Sequence, residues 1–388
     1  MFDKSEEAFP AKKNSLFLAH CAISPMALQA KDAARDFLEA MAEGGISGLP
    51  PYFNLLPRFH RKCAELFHTD AANISATHNT AEGMCLLANG YPFEPGDEII
   101  SYVHEFPSNH YPWRLQERRG VKLLLLGDTD PLGSLSAVTA PRGWSMAELE
   151  EKVSPRTRII ALSHVQFTSG YAADLMELGG FCRERGIDLV IDGAQSVGVL
   201  PLYPDEYNVA AVAVSCWKWL MGPFGSGLLY TSEEFRDKIE LTMVGSSSMQ
   251  QGLEYLDHSW NPHVDGRKFE YSTLAWEHLA ALNGLFDSLF LRYSMEGIRE
   301  EVFELQDVFL AHLDQDLYTP LLFADEHRSG ILAVLPRDAD ALLVERLARH
   351  GIVVTERSGY IRIAPHFYLS PGDMKMAAEC FNEEAGKG

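Results

Sequence analysis

The sequence predicts an α/β protein built on a mostly parallel sheet, and three observations predict it. Short apolar runs alternate with helical patterns from about residue 73 to residue 232, the order that crossover connections produce. The runs LLLL (123–126) and DLVID (188–192) are largely apolar, as strands covered on both faces are. After about residue 270 the texture shifts to long helical patterns, one strand and a hairpin, which predicts a second, smaller α+β unit.

Taken in order, Ser24-Pro25 and the segment MALQAKDAARDFLEAMAEGG read as a helix, with Met26, Leu28, Phe37, Leu38 and Met41 mostly on one face and Gly44-Gly45 ending it. A second helix is expected from near Pro57 to Phe67. NISATHN is a strand before the helix TAEGMCLLANG, with Thr80 as its N-cap. DEIISYV precedes a helical PSNHYPWRLQERRG, and VKLLLLGD is a strand. Ser145 and Glu148 form a capping box for SMAELEEKV. TRIIALSHV, DLMELGGFCRERG and IDLVIDGA continue the alternation. VAAVAVSC and GSGLLYTS have little helix between them, which admits an antiparallel pair. Helices are expected over Leu274–Tyr293 and Glu296–Leu313. GILAVLPR follows as a strand, DADALLVERLARHG as a helix, IVVTERSGYIRIAP as a hairpin and SPGDMKMAAECFNEEA as a closing helix.

With 388 residues, 46% hydrophobic and 22% charged, the chain has the makings of a large core in about two domains. Acidic residues outnumber basic ones by 54 to 33, a net charge of −21. Such a field repels nucleic acid and anionic membranes, so an anionic ligand needs local positive features. No apolar run reaches membrane-spanning length, and MFDKSEEAFPAKKNS lacks the apolar core of a secretion signal. The six cysteines form no CxxC pair, which argues against a zinc knuckle or redox dithiol and suits a reducing cytoplasm.

Several residues can carry chemistry. Asp192 ends a buried strand, where α/β sheets bind ligands; taken alone it serves equally as a helix cap or metal ligand. Lys218, between Trp217 and Trp219, follows an apolar strand, and apolar surroundings lower a lysine's proton affinity as a Schiff-base amine requires. Residues 222–227, GPFGSG, are followed by a strand and not a helix, so they are not a dinucleotide loop. The segment from His78 to Gly83 can offer helix N–H groups to a phosphate. Phe106, in EFPSNHYPW, can stack on a planar group. Arg362, in YIRIAP, needs a partner, and a carboxylate is the natural one. Together these are the groups that pyridoxal phosphate requires.

The stretch VIDGAQSVGVLPL…AVSCWKWLMGPFGSGLLY resembles the DGAQ…S-x-x-K-W-x-x-GP-x-G-x-G segment of the class V aminotransferase family, whose members include cysteine desulfurases, kynureninases and isopenicillin N epimerase. EFPSNHYPW resembles the family's stacking loop, and FEYSTLAW the segment that reaches a neighbouring subunit. The resemblance covers nearly the whole chain. It implies fold type I of pyridoxal-phosphate enzymes, with a mostly parallel seven-stranded sheet in a large domain (46–272), a smaller α+β domain (273–388), and an N-terminal segment (1–45) packing on the latter. It also implies Lys218 as the Schiff-base lysine, Asp192 on the pyridine nitrogen, Gln195 on the phenolic oxygen and Phe106 stacked on the ring. Thr80, Ala81 and Ser215 are implied as phosphate ligands, with Thr273 donated across a homodimer, and Arg362 as the holder of the substrate α-carboxylate. The chain departs from the family pattern at Trp217, whose indole N–H can still donate, and at Phe167, which leaves Gln166 as the polar contact.

The implied activity acts at the α-carbon of an amino acid, with transamination expected first and C–S or β-lyase or epimerase chemistry as alternatives. A non-catalytic scaffold is the reading from another class. The resemblance implies that a desulfurase's nucleophilic cysteine would lie in the loop before Arg362; here that loop, RHGIVVTERSGY, holds no cysteine, which argues against a thiol-dependent desulfurase. Arg357 can reach a distal substrate group, and His20 lies in a segment resembling the family's substrate-side loop.

Overall fold

The computed structural model describes residues 1–129, 141–338, 342–385 and 387. Its centre is a seven-stranded sheet of β2 (Ile74–Thr77), β3 (Glu98–Tyr102), β4 (Lys122–Leu126), β5 (Thr157–Ser163), β6 (Asp188–Asp192), β7 (Ala211–Ser215) and β8 (Gly227–Thr231), with β1 (Leu16–Phe17) elsewhere. The spatial order is β2-β8-β7-β6-β5-β3-β4. Pairings among β3 to β7 are parallel, and β8 runs antiparallel to both β7 and β2. The short connection between β7 and β8 forces that reversal, since parallel neighbours need a crossover. β6, β7 and β8 are buried almost throughout, which is why they read as continuous apolar runs.

Helices α1 (Leu28–Gly44), α2 (Leu55–Phe67) and α3 (Thr80–Gly90) precede β3. A Cβ on Gly83 would lie 2.9 Å from the Ala213 Cβ, so the glycine lets α3 sit close over β7 and fixes its N-terminus beside the end of that strand. Leu38, expected on the buried face of α1, is 54% exposed, whereas Phe37 is buried. Residues 107–120 form short turns, Pro107–Asn109, Tyr111–Arg114 and Leu115–Arg119, and not the continuous helix expected. Ser145 caps helix Met146–Lys152, but the Glu148 carboxylate accepts from Gly127 N–H and not from Ser145, so only half of the capping box forms.

A four-stranded antiparallel sheet follows, of β9 (Tyr318–Pro320), β10 (Leu332–Pro336), β12 (Thr355–Arg357) and β13 (Tyr360–Ile363), in the order β12-β13-β10-β9. β11 (Ile352–Val353) pairs in parallel with β1. Helix Trp276–Leu285 packs on α1 and is separated from the turn Leu291–Tyr293 by a π-helical stretch, Phe286–Phe290. Helices Met295–His312 and Pro371–Glu384 pack on one another. Of the helix expected over 338–351, Leu343–Arg349 forms, and residues 339–341 lie outside the described residues.

Candidate active site

The carboxyl ends of β5, β6 and β7 open into a cavity of about 550 Å³, the position where parallel sheets present their ligands. Asp192, Ser215 and Lys218 reach it from the strand ends, Thr80 and Ala81 from α3, and Arg357 and Arg362 from the hairpin β12–β13.

Asp192 is buried, and its Oδ1 accepts from Ala194 N–H at 2.9 Å. Burial pushes its pKa up, while Lys218 and the Ala194 N–H oppose that. Burial likewise lowers the Lys218 pKa, against the pull of Asp192. Lys218 Nζ lies 5.3 Å from the centre of the Phe106 ring, and among the described residues no group hydrogen-bonds to it. This is an amine with depressed basicity, beside an aromatic face and above a buried carboxylate.

A cup forms where α3 begins. Asn79, and not Thr80, is the N-cap: its Oδ1 accepts from Glu82 N–H at 2.9 Å. The N-x-x-E spacing of Asn79 and Glu82 carries that signal in the sequence. Thr80 N–H donates to Ser215 Oγ at 3.1 Å, and the two hydroxyls are 2.9 Å apart. Ala81, in the first turn, has an N–H with no intrahelical acceptor. Glu82 would oppose an anion here, but its carboxylate is turned to His78 N–H and the Tyr271 hydroxyl. A Cβ on Gly227 would stand 2.7 Å from Asn79 N and 2.8 Å from Val214 O. The glycine therefore lets β8 close the cup from behind.

Gln195 is fixed on both sides. Its Nε2 donates to Cys21 O at 2.8 Å, and its Oε1 accepts from the Trp219 indole N–H at 3.0 Å. The second Nε2 hydrogen is left for the cavity. Arg362 is 2% exposed; it donates to Phe167 O at 2.7 Å and Thr355 Oγ1 at 2.8 Å, and its Nε has no partner. Phe106 is 38% exposed and meets Phe167 edge-on at 5.3 Å.

Three expected residues stand differently, and a fourth, expected to act across a dimer, lies away from this cavity. His20 is fully buried and off the cavity wall, with Nδ1 2.7 Å from Ala364 O and Nε2 2.9 Å from the Tyr368 hydroxyl. Burial and His366 hold it neutral, and its two hydrogen bonds brace the fold. Gln166 is also buried off the wall and gives its Nε2 to Glu105 at 3.1 Å. Trp217 lines the cavity but packs its ring on Phe224 at 4.9 Å; the indole that donates is Trp219. Thr273 is exposed and lies beside a different cavity of the same chain.

Two residues were missed in the sequence, one on the cavity wall and one behind it. Cys21 lines the cavity, its Sγ 3.9 Å from Thr355 Oγ1, on the same wall as Lys218 and Arg362. Nothing local marks it, because the pairing of β1 with β11 delivers it. Glu105 is buried behind Phe106; Ser163 N–H at 2.8 Å, the Ser163 hydroxyl and Gln166 all donate to it, and burial still raises its pKa to about 7. An acid beside the stacking aromatic was legible, but its burial was not.

The residues present fit pyridoxal phosphate: a lysine free to bond it, a carboxylate with an open Oδ2, an aromatic face, hydroxyl and N–H donors in a cup, and an arginine with an unmet donor. The sequence profile of the family described as "Aminotransferase class-V" matches residues 52–363. A probable cysteine desulfurase of Pyrococcus abyssi is 32% identical over 190 residues, 48% of this chain and 45% of that protein. One from Methanothermobacter thermautotrophicus is 22% identical over 86% of this chain and 84% of its own. The solved structure of the cystine C–S lyase C-DES with its product, cysteine persulfide, superposes with a TM-score of 0.85 at 22% identity, covering 96% of this chain and 99% of that one. A lysine mutant of C-DES, with glycine covalently linked to its PLP cofactor, gives 0.87 at 21% identity, over 97% and 99%.

Proposed function

We propose that this chain, which belongs to the aminotransferase class-V family, binds pyridoxal phosphate at Lys218 and cleaves a carbon–sulfur bond of a sulfur-containing α-amino acid. The observation that carries the reading is the placement of Lys218, Asp192 and Arg362 around one cavity. The curated desulfurases and the cystine C–S lyase support sulfur chemistry over the transamination expected from the sequence.

Bound pyridoxal phosphate supplies an electron sink for the bonds at the substrate α-carbon. The chain's residues do the rest. Lys218, its basicity lowered by burial, is the group placed to take the α-proton. Asp192 holds a proton at the ring nitrogen. Gln195, locked by Trp219 and Cys21 O, offers its remaining N–H to the phenolic oxygen. Thr80, Ala81 and Ser215 would hold the phosphate. Arg362 orients the carboxylate, and Phe106 excludes water from one face.

Cys21 favours a second reading: a thiol on the cavity wall can accept the sulfur, releasing alanine where elimination would release pyruvate. Product analysis with L-cystine and L-cysteine tests both. Pyruvate and ammonia are expected, with cysteine persulfide from L-cystine and sulfide from L-cysteine. Amino-group exchange with a keto acid, without sulfur release, would overturn the reading.

Thr273 and its neighbours, exposed and away from their own cavity, fit a homodimer in which each chain completes the other's phosphate cup. Light scattering showing an active monomer would rule this out. Among the described residues no helix is long and apolar enough to cross a membrane. The six free cysteines support a cytoplasmic setting.

A further inference from the structure

The loop after β5 separates two cavities. Ser163, Val165 and Phe167 wall the cavity that holds Lys218. His164, Ala172 and Ala173 wall another, of about 340 Å³, between helix Leu175–Arg185, helix Met295–His312 and the turn Asp325–His327.

His164 lines that second cavity at 7% exposure, and neither ring nitrogen has a hydrogen-bond partner among the described residues. Burial lowers its pKa to about 4, against the attraction of Asp174, so the ring is neutral and offers one donor and one acceptor. Buried polar groups are seldom left unpaired without a reason.

The charges around it are also uncommitted. Asp174 Oδ1 caps its helix at Met176 and Glu177 N–H, and its Oδ2 has no hydrogen-bond partner among the described residues, so it remains open to the cavity. Glu206, Glu326 and Arg299 form no ion pair among the described residues, whereas Arg328 is taken up by Asp307 and Phe303 O. Carboxylates thus outnumber the open guanidinium, and Leu200 and Phe303 supply an apolar floor. We propose that this second cavity binds a small aliphatic α-amino acid as an effector. Its ammonium group faces Asp174 and Glu206, its carboxylate faces Arg299 and the His164 ring, and its side chain lies over Leu200 and Phe303.

The same loop carries the consequence to the active site. Ala172 N–H donates to His327 O at 3.0 Å, Ser329 Oγ donates to Gly170 O at 2.7 Å, and Phe167 O receives Arg362 at 2.7 Å. An occupant that draws His164 toward the Asp325–His327 turn shifts the carbonyl that holds Arg362. It therefore changes substrate KM and leaves the cofactor's absorbance unchanged.

Equilibrium dialysis of the holoenzyme with labelled L-valine tests this, with the visible spectrum reporting valine at the cofactor separately. The expected result is a spectrally silent binding event that Arg299→Ala and Glu206→Gln each weaken by about tenfold or more, as loss of a charge-assisted bond does. N-acetyl-L-valine, lacking the ammonium group, is expected not to bind there. If all bound valine tracks the spectrum, or the silent event is unchanged in both variants, the site does not exist. Neither outcome depends on which bond the enzyme cleaves, so C–S cleavage stands or falls separately.

Discussion

Trp219 donates its indole N–H to the side-chain carbonyl of Gln195 at 3.0 Å. That bond decides which way the Gln195 amide points, and so leaves an N–H for the cavity.

Trp219→Phe strands a buried acceptor, at a cost of about 1–3 kcal/mol. Cofactor affinity is expected to fall on the order of tenfold or more, with a lowered Tm. Trp217→Phe, at a half-buried ring whose contact is Phe224, is expected to change both far less. Absorbance titration with the cofactor checks the contrast; equal effects would mean that the indole bond does not position Gln195.

Borohydride reduction of the holoenzyme is expected to fix the cofactor to the peptide containing Lys218, and Lys218→Ala to abolish the label. Mass mapping that finds another lysine labelled would remove Lys218 from its role.

Arg362→Lys keeps the charge but loses the planar fork that serves Phe167 O and Thr355 Oγ1 while leaving donors for a carboxylate. The visible absorbance is expected to persist. Losing a charged hydrogen bond, worth about 1.5–3 kcal/mol, lowers kcat/KM for α-amino acids roughly tenfold to a hundredfold. Amines without a carboxylate are expected to be nearly unaffected. Unchanged amino-acid turnover would contradict the carboxylate role.

Glu105 gives a pH dependence with a definite sign. Its folded pKa, about 7, lies above the ordinary 4.5 because burial outweighs the donors from Ser163 and Gln166. The folded state therefore holds the proton more tightly than the unfolded chain. That contribution is complete below about pH 4.5 and is lost as pH rises through about 7, amounting to about 3 kcal/mol at most. Glu105→Gln is expected to flatten the decline in Tm of the cofactor-free protein between these values. A parallel decline in both proteins would assign the loss to other groups.

The sequence made the sheet legible because the middles of β5 to β8 are buried enough to be apolar runs. It likewise showed α3, whose span Thr80–Gly90 agrees with the reading. What it hid depends on distant partners. The π-helical stretch at Phe286–Phe290 interrupts a pattern that reads as continuous helix. His20 and Cys21 are adjacent, yet one is sealed between Ala364 and Tyr368 while the other faces the cavity. Strand alternation alone does not say which neighbour faces inward until the register of β1 against β11 is known.

That register also orders events in time. Leu16 lies opposite Ile352, so the wall bearing Cys21 depends on residues synthesised more than three hundred positions later. During translation the central sheet can assemble once β8 emerges, while the first twenty or so residues wait without their partner. Long-range closure of this kind comes late in folding. The proposed phosphate cup can thus form before the wall that bears Cys21, which closes only once β11 has been made.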